Sequence, residues 1–197
     1  MNYRLDGRNV FFTSNTHFYH RNIIDFCQRP FKSVDDMIET LISNWNKVIG
    51  ADDIVFHLGD ICLGDSAKWN GILDRLNGKI IILGNHDMRN FRKSHTGEFE
   101  AVTLQMDIEA DGQKIFLNHY PFLCYECSYD DTWQLFGHVH TNKYNIGKDA
   151  PQLRMLFQTQ YDVGGDNNDL TPVSFAQVKE IIEKQIGQSN KEGNNQS

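Results

Sequence analysis

Five short apolar runs in this sequence are each followed at once by side chains that bind metals or transfer protons. The polar stretches are Asn15-Thr16-His17, His57-Leu58-Gly59-Asp60, Gly84-Asn85-His86-Asp87, Asn118-His119 and Gly137-His138-Val139-His140. In open α/β sheets ligands bind at the carboxyl ends of the strands, so we expect these side chains to converge on one site. The neighbouring glycines allow tight turns and a close approach of the backbone to a ligand.

Seven of these side chains are candidate metal ligands. Imidazole nitrogens combined with a carboxylate and amide oxygens suit zinc, manganese or iron rather than calcium. Seven donors exceed one tetrahedral site and are about right for two ions that share a bridging ligand. Paired ions roughly 3.5–4 Å apart are a known arrangement for phosphoryl chemistry. The seven are Asn15, His17, Asp60, Asn85, His119, His138 and His140.

This set of motifs resembles the calcineurin-like metallophosphoesterase superfamily, in particular its small bacterial and phage-type phosphoesterases. The superfamily pattern is D-x-H, G-D, G-N-H-D or G-N-H-E, a single H, and then G-H-x-H. The matching pieces lie between residues 15 and 140 in the same order. The resemblance implies an α/β fold, a four-layer α-β-β-α sandwich of two mixed β-sheets flanked by helices.

The resemblance also implies a role for each matching residue. Asp60 would bridge two divalent ions, with Mn²⁺ favoured and Zn²⁺, Fe²⁺ or Ni²⁺ as alternatives. His86 would act at the leaving-group oxygen as a proton donor or transition-state stabiliser, and Asp87 would orient His86. The implied ligands are Asn15, His17, Asp60 and His140 for one ion, and Asp60, Asn85, His119 and His138 for the other.

The implied activity is hydrolysis of a phosphate ester by hydroxide activated at the metal pair, with in-line attack on phosphorus. We favour a phosphodiester substrate, nucleotide-like or nucleotide-derived, because the chain is little more than the superfamily core without the large inserts of many monoesterases. That preference rests on analogy with other members of the superfamily and not on particular residues of this sequence. Two alternatives stay open: a phosphomonoesterase, and a catalytically weak scaffold or binding protein with the same fold.

Position 15 departs from the pattern, because Asn15 stands where the superfamily has aspartate. The two side chains have the same shape, but the amide lacks the negative charge and its oxygen is a poorer ligand for a transition metal. We expect a weakened first metal site, slower hydrolysis, or both. Either the exchange was introduced to inactivate the enzyme, which we favour, or it is natural and the protein is slow or a binding module.

Several other residues are candidates for substrate contact. His20, Asn22 and Arg89 could reach a substrate phosphate, although capping near Ile23 and a solvated basic face are the simpler interpretations. One aromatic side chain among Phe122, Tyr125 and Trp133 could stack on a base or sugar, whereas Tyr120 would fix the loop after His119. The C-x-x-C pair Cys124 and Cys127 is interpreted as free thiols, because a zinc site needs a second ligand pair.

Hydrophobic periodicity predicts the elements that position these residues. Helices are expected over 33–50, over 66–77 and from 171 onward, each with an apolar stripe at three- and four-residue spacing. Near-continuous apolar runs predict strands covered on both faces, and 102–108 is a further strand candidate. We expect one domain over 1–187 and a polar, disordered tail over 188–197.

Composition narrows the class of protein. The chain has 197 residues and a formal net charge of −7, which argues against a broad nucleic-acid-binding face. No apolar run is long enough to span a bilayer, and no signal peptide is recognisable. The expected partner is therefore a small phosphate ester in the cytoplasm of a bacterium, or of the host cell if the gene is carried by a phage. The oligomeric state is left open.

Overall fold

Two mixed β-sheets form the framework of the protein in the computed structural model, which describes residues 2–5, 9–82, 87, 101–141 and 153–194. The first sheet contains, in spatial order, β1 (Asn2–Arg4), β6 (Gln105–Ala110), β7 (Gln113–Asn118), β8 (Trp133–Phe136) and β9 (Gln160–Asp162). The second contains β10 (Val173–Ser174), β2 (Val10–Thr13), β3 (Ile54–His57), β4 (Lys79–Ile82) and β5 (Ala101–Val102).

The strand directions bring the site loops together. Strands β2 to β5 run parallel to one another, and so do β7, β8 and β9. An isolated parallel bridge between Ser14 and Gly164 joins the end of β2 to the end of β9. The loops after β2, β3, β7, β8 and β9 therefore meet at one end of the two sheets. The sequence motifs predict this for the loops after β2, β3, β7 and β8 but do not include the loop after β9, and the predicted loop at 83–86 lies outside the described residues.

The main core lies between the two sheets. One cluster of buried side chains includes Phe12 and Phe56 from the second sheet together with Leu117 and Leu135 from the first. These four side chains are at most 1% exposed, which explains why the strands appear as uninterrupted apolar runs in the sequence. Burial of this kind fixes the register of each strand and hence the position of the loop that follows it.

In the described part of the chain the α-helices are α1 (Arg21–Phe26), α2 (Val34–Val48), α3 (Ser66–Leu73) and α4 (Phe175–Asn194). Apolar side chains of α1, α2 and α3 pack together with Val55 on the outer side of the second sheet. Helix α4 contacts β10, β2 and β9, and its Val178 and Ile182 join the core between the sheets. The predicted α/β sandwich with two mixed sheets and flanking helices is confirmed.

Helix boundaries follow local capping groups. The hydroxyl of Ser33 accepts a hydrogen bond from the backbone of Asp36 at the start of α2, and the Asp65 carboxylate caps α3 through Lys68. The last helix begins later than predicted, at Phe175, because Val173 pairs with Phe12 and extends the second sheet. It continues through Asn194, into the segment that sequence composition assigned to a polar tail.

The segment 102–108 was expected to be one strand, and the structure divides it. Val102 ends β5 in the second sheet, whereas β6 begins at Gln105 in the first sheet. Short elements at 2–4, 21–26 and 160–162 have too few residues to show a periodic pattern in the sequence.

Among the described residues, no helix is both long enough and apolar enough to cross a membrane.

Candidate metal centre

Backbone hydrogen bonds place His17 beside Asp60. The N–H groups of Asn15 and His17 donate to the carbonyl oxygens of Gly59 and Asp60, both at 2.9 Å. The loops after β2 and β3 thus continue side by side beyond the end of the sheet. From the first sheet, the N–H of Gly137 donates to the carbonyl of His119 at 3.0 Å, which joins the loops after β7 and β8.

Five of the candidate ligands have a left-handed backbone conformation, although none of them is glycine. Their φ angles are 56° at Asn15, 52° at His17, 58° at Asp60, 68° at His138 and 50° at His140. Such residues each cost roughly 1–3 kcal/mol and concentrate at functional sites, where the surrounding structure holds them. The backbone is therefore strained at the same positions that carry the metal-binding side chains.

One group of ligand atoms consists of Asp60, His119 and His138. These atoms all lie within 4.8 Å of one another, and His119 Nε2 lies 3.6 Å from Asp60 Oδ2. The Nδ1 atom of His119 lies 2.7 Å from the carbonyl oxygen of Leu58, which can only accept a hydrogen bond. His119 therefore carries its proton on Nδ1 and directs the Nε2 lone pair towards Asp60.

A second group of ligand atoms, from His17 and His140, begins next to the same oxygen of Asp60. His17 Nε2 is 3.7 Å from Asp60 Oδ2 and 3.2 Å from His140 Nε2. The Asp60 side chain is 4% exposed, and its Oδ1 atom is buried without a hydrogen-bond partner among the described residues. A buried carboxylate oxygen requires a compensating partner. Cations between two pairs of imidazoles would supply it, so the residues present fit a metal pair with Asp60 in the middle.

Asn15 is held by its amide oxygen. Its Oδ1 accepts hydrogen bonds from the Ser14 hydroxyl at 3.1 Å and from the His138 N–H at 3.2 Å. Its Nδ2 is buried and has no hydrogen-bond partner in the described part of the chain. An amide nitrogen cannot ligate a cation, so Asn15 contributes shape to the site but not the charged ligand expected at this position.

Asp166 and Arg29 belong to the site and are not identifiable from the sequence motifs. Asp166 Oδ2 accepts a hydrogen bond of 2.7 Å from His140 Nδ1, and Arg29 donates to both carboxylate oxygens at 2.7 and 2.9 Å. Burial alone would raise the pKa of Asp166, but these bonds outweigh it and lower the pKa to about 2. The run of glycine, aspartate and asparagine at 164–169 is a sequence signal of a turn there, but it does not indicate a role for Asp166.

Asp87 supports the loop that carries Asp60. Its two carboxylate oxygens accept hydrogen bonds from the backbone N–H groups of Asp60 at 2.8 Å and Ile61 at 3.1 Å. Burial raises the pKa of Asp87 to about 7, against the opposing effect of these bonds. The predicted ligand Asn85, the predicted acid His86 and Arg89 lie outside the described residues, so the role of Asp87 towards His86 stays a prediction.

No family model matches the chain. The uncharacterized protein MJ1445 of Methanocaldococcus jannaschii is 41% identical over 180 residues, which cover 90% of this chain and 93% of that protein. The chain belongs to the MJ1445 family. The gene 66 protein of Mycobacterium phage L5 is 28% identical over 162 residues, which are 68% of this chain and 78% of that protein.

The fold is also found in a solved structure. AQ665 from Aquifex aeolicus, a protein of unknown function, matches this chain with a TM-score of 0.65 and 24% sequence identity. The match covers 89% of this chain and all of that chain, so the two proteins share one fold over nearly their whole length.

The structure also shows where His20, Asn22 and the motif residue His57 lie. His20 Nδ1 lies 3.3 Å from His17 Nδ1, so His20 contacts a candidate ligand, whereas Asn22 lies exposed in the first turn of α1.

His57 is fully buried, and burial lowers its pKa to about 3. It accepts a hydrogen bond from the Gly59 N–H and contacts the hydroxyl of Thr16 at 2.9 Å. His57 is therefore a neutral structural group.

The aromatic residues are arranged differently from the expectation. Trp133 is buried in the core, and the rings of Phe122 and Tyr125 pack on Phe116. Tyr120 lies beside two candidate ligands: its ring centroid is 4.9 Å from that of His119 and 4.6 Å from that of His138, and the residue is 37% exposed. Cys124 and Cys127 are free and exposed.

Proposed function

We propose that this protein is a metal-dependent phosphoesterase of the calcineurin-like superfamily that hydrolyses phosphodiesters. The observation that carries the proposal is the position of Asp60, whose Oδ2 lies 3.7 Å from His17 Nε2 and 3.6 Å from His119 Nε2. One buried carboxylate thus lies between two groups of imidazoles, the arrangement that a shared bridging ligand requires. The motif order along the chain supports the same proposal.

Two divalent ions, when bound, would neutralise phosphate charge and lower the pKa of a water molecule at the site. His17 and His140 would hold one ion, His119 and His138 the other, and Asp60 both. We propose Mn²⁺ as the metal, with Zn²⁺, Fe²⁺ or Ni²⁺ as alternatives that suit the same nitrogen and carboxylate donors. His86 would donate the proton to the departing alcohol oxygen.

The substrate we propose is nucleotide-like. Tyr120 supports this choice, because its partly exposed ring borders the His119 and His138 rings and offers an aromatic surface to a base or aryl group leaving from the phosphate. The acidic overall charge does not oppose a phosphate substrate, since bound cations would set the local charge.

A second candidate function is a catalytically weak binding protein with the same fold. The buried amide nitrogen of Asn15 favours it, because the first group of ligands then lacks a carboxylate of its own. Both candidates would bind metal ions, but only the phosphoesterase would hydrolyse a substrate at an appreciable rate.

The test is hydrolysis of bis(p-nitrophenyl) phosphate and p-nitrophenyl phosphate by the purified chain with Mn²⁺. We expect the diester to be hydrolysed faster than the monoester. Asp60→Asn should lower the rate by about 100-fold or more, because several kcal/mol of charge stabilisation is lost. Asp52→Asn, an identical exchange at an exposed turn, should leave the rate unchanged. Turnover of neither dye, also after Asn15→Asp, would favour the binding protein, and faster monoester hydrolysis would favour a monoesterase.

A further inference from the structure

We propose that Asp166 is a positioning residue for the first group of metal ligands, His17 and His140, and that Arg29 holds Asp166 in place. The inference rests on the metal binding proposed above and assigns a role to two residues outside the sequence motifs. The distance that carries it is the 2.7 Å between Asp166 Oδ2 and His140 Nδ1.

The chemistry of this contact determines which nitrogen of His140 is free. An ionised carboxylate only accepts hydrogen bonds, so the Nδ1 atom of His140 must carry the proton. The Nε2 lone pair is then available, and it points to within 3.2 Å of His17 Nε2. A carboxylate behind a metal-binding imidazole fixes the ring and makes it a stronger ligand.

Arg29 fixes the carboxylate itself. The Arg29 and Asp166 side chains are 1% and 3% exposed, and the guanidinium donates to both carboxylate oxygens. The same guanidinium donates to the carbonyl oxygens of Asn15 at 2.7 Å and Thr16 at 2.9 Å. One buried cation therefore fixes the loop before His17 and the carboxylate behind His140 relative to each other.

This support matters because position 15 is an amide. The Asp60 carboxylate that faces His17 is shared with His119. A negative charge hydrogen-bonded to His140 partly replaces the missing one, because a carboxylate behind an imidazole makes that ring a stronger metal ligand. The first ion is then expected to depend on Asp166 more than the second ion does.

A different arrangement of the same atoms would be a direct metal site. Cys27 Sγ, His140 Nδ1 and Asp166 Oδ2 lie within 4.8 Å of one another. Arg29 already donates to both oxygens of Asp166, and a cation on that carboxylate would be placed against the guanidinium charge. We therefore assign Asp166 to His140 and not to a metal.

The experiment is a titration of the metal-free full-length protein with Co²⁺, followed by visible absorption and by calorimetry. Asp166→Asn should weaken one of the two bound ions by about 10–100-fold, as loss of such a partner typically does, and leave the other unchanged. Asp166→Glu should restore part of the affinity. Asp169→Asn removes the same charge from an exposed position of the same loop and should change neither ion.

A second measurement needs no substitution. Nitrogen-15 NMR of the histidine side chains in the unmodified protein should show His140 protonated on Nδ1. Protonation on Nε2, equal weakening of both ions, or an equal loss with Cys27→Ser would overturn the proposal. Neither measurement uses turnover, so binding of two ions without hydrolysis would refute the proposed activity and leave this inference intact.

Discussion

At the scale of single residues, Asn15 is expected to determine how strongly the proposed first ion would bind. Its oxygen is used by the His138 N–H and the Ser14 hydroxyl, and its buried nitrogen has no partner among the described residues. Aspartate has the same shape, so Asn15→Asp should keep these bonds and place a charged oxygen where the nitrogen lies. We expect tighter binding of one ion by about 10-fold or more, measured as metal content after dialysis, and faster hydrolysis.

The control for this exchange is Asn70→Asp on α3, which adds the same charge away from the site and should alter neither metal content nor rate. If Asn15→Asp also alters neither, position 15 is a structural turn residue that asparagine suits through its tolerance of positive φ.

At the scale of elements, the turn after β8 requires glycine. A Cβ atom on Gly137 would lie 2.0 Å from the Oγ and 2.5 Å from the Cβ of Ser14, so the loops after β8 and β2 could not approach each other. Gly137→Ala should lower the free energy of unfolding by about 1–3 kcal/mol, the usual effect of overpacking. Urea unfolding with chelator present measures it.

Gly71 provides the matched substitution, because it lies inside α3 with nothing within 4 Å of its missing Cβ. Gly71→Ala should raise the free energy of unfolding by roughly 0.4–1 kcal/mol. If Gly137→Ala and Gly71→Ala change the free energy of unfolding alike, the close approach of Gly137 to Ser14 does not constrain the loop.

Sequence patterns predict the elements that are long or fully buried. Helix α2 has five buried side chains on one stripe and a capping serine, so its bounds follow closely from the sequence. Strands β9 and β10 have three and two residues, and their pairing depends on neighbours far away in the chain. For that reason the late start of α4 and the division of 102–108 were not predictable.

The residues of the candidate site likewise fall into those that the sequence predicts and those that it does not. Its ligands are recognisable because each belongs to a short motif directly after an apolar run. Asp166 and Arg29 have no such motif, since their roles arise from a pairing across 137 residues. Tyr120 was assigned to loop geometry because the sequence does not show which aromatic side chains the outer face of the first sheet buries.

At the scale of the whole molecule, His57 should make the stability depend on pH. Its pKa is about 3 in the folded protein and about 6.5 in an unfolded chain, because burial disfavours the charged form. Below pH 6.5 the unfolded state therefore binds a proton that the folded state does not, and the contribution of His57 to stability falls with pH until about pH 3. From pH 7 to pH 5 the expected loss of this contribution is about 2 kcal/mol.

The measurement is the free energy of unfolding in urea at these two pH values, with chelator, for the unmodified protein and for His57→Gln. Asp87 changes the stability in the opposite direction. Because its pKa in the folded protein is about 7, the folded state binds a proton at a higher pH than the unfolded state does, and this favours the folded state as the pH falls. The contribution of His57 is therefore the difference between the two proteins in how the free energy of unfolding changes with pH, and not the change seen in either protein alone. Identical slopes would mean that His57 is accessible to protons in the folded state.

The pairing of Arg29 with Asp166 also sets the order in which the centre is completed during translation. Arg29, Asp60, His119 and His140 all leave the ribosome before Asp166, which lies 137 residues after Arg29. Until Asp166 emerges, the guanidinium has no carboxylate and His140 has no acceptor for its Nδ1 proton. The support of His140 is therefore the last part of the candidate centre to be synthesised, and the arrangement around His140 can form only after nearly the whole chain has been made.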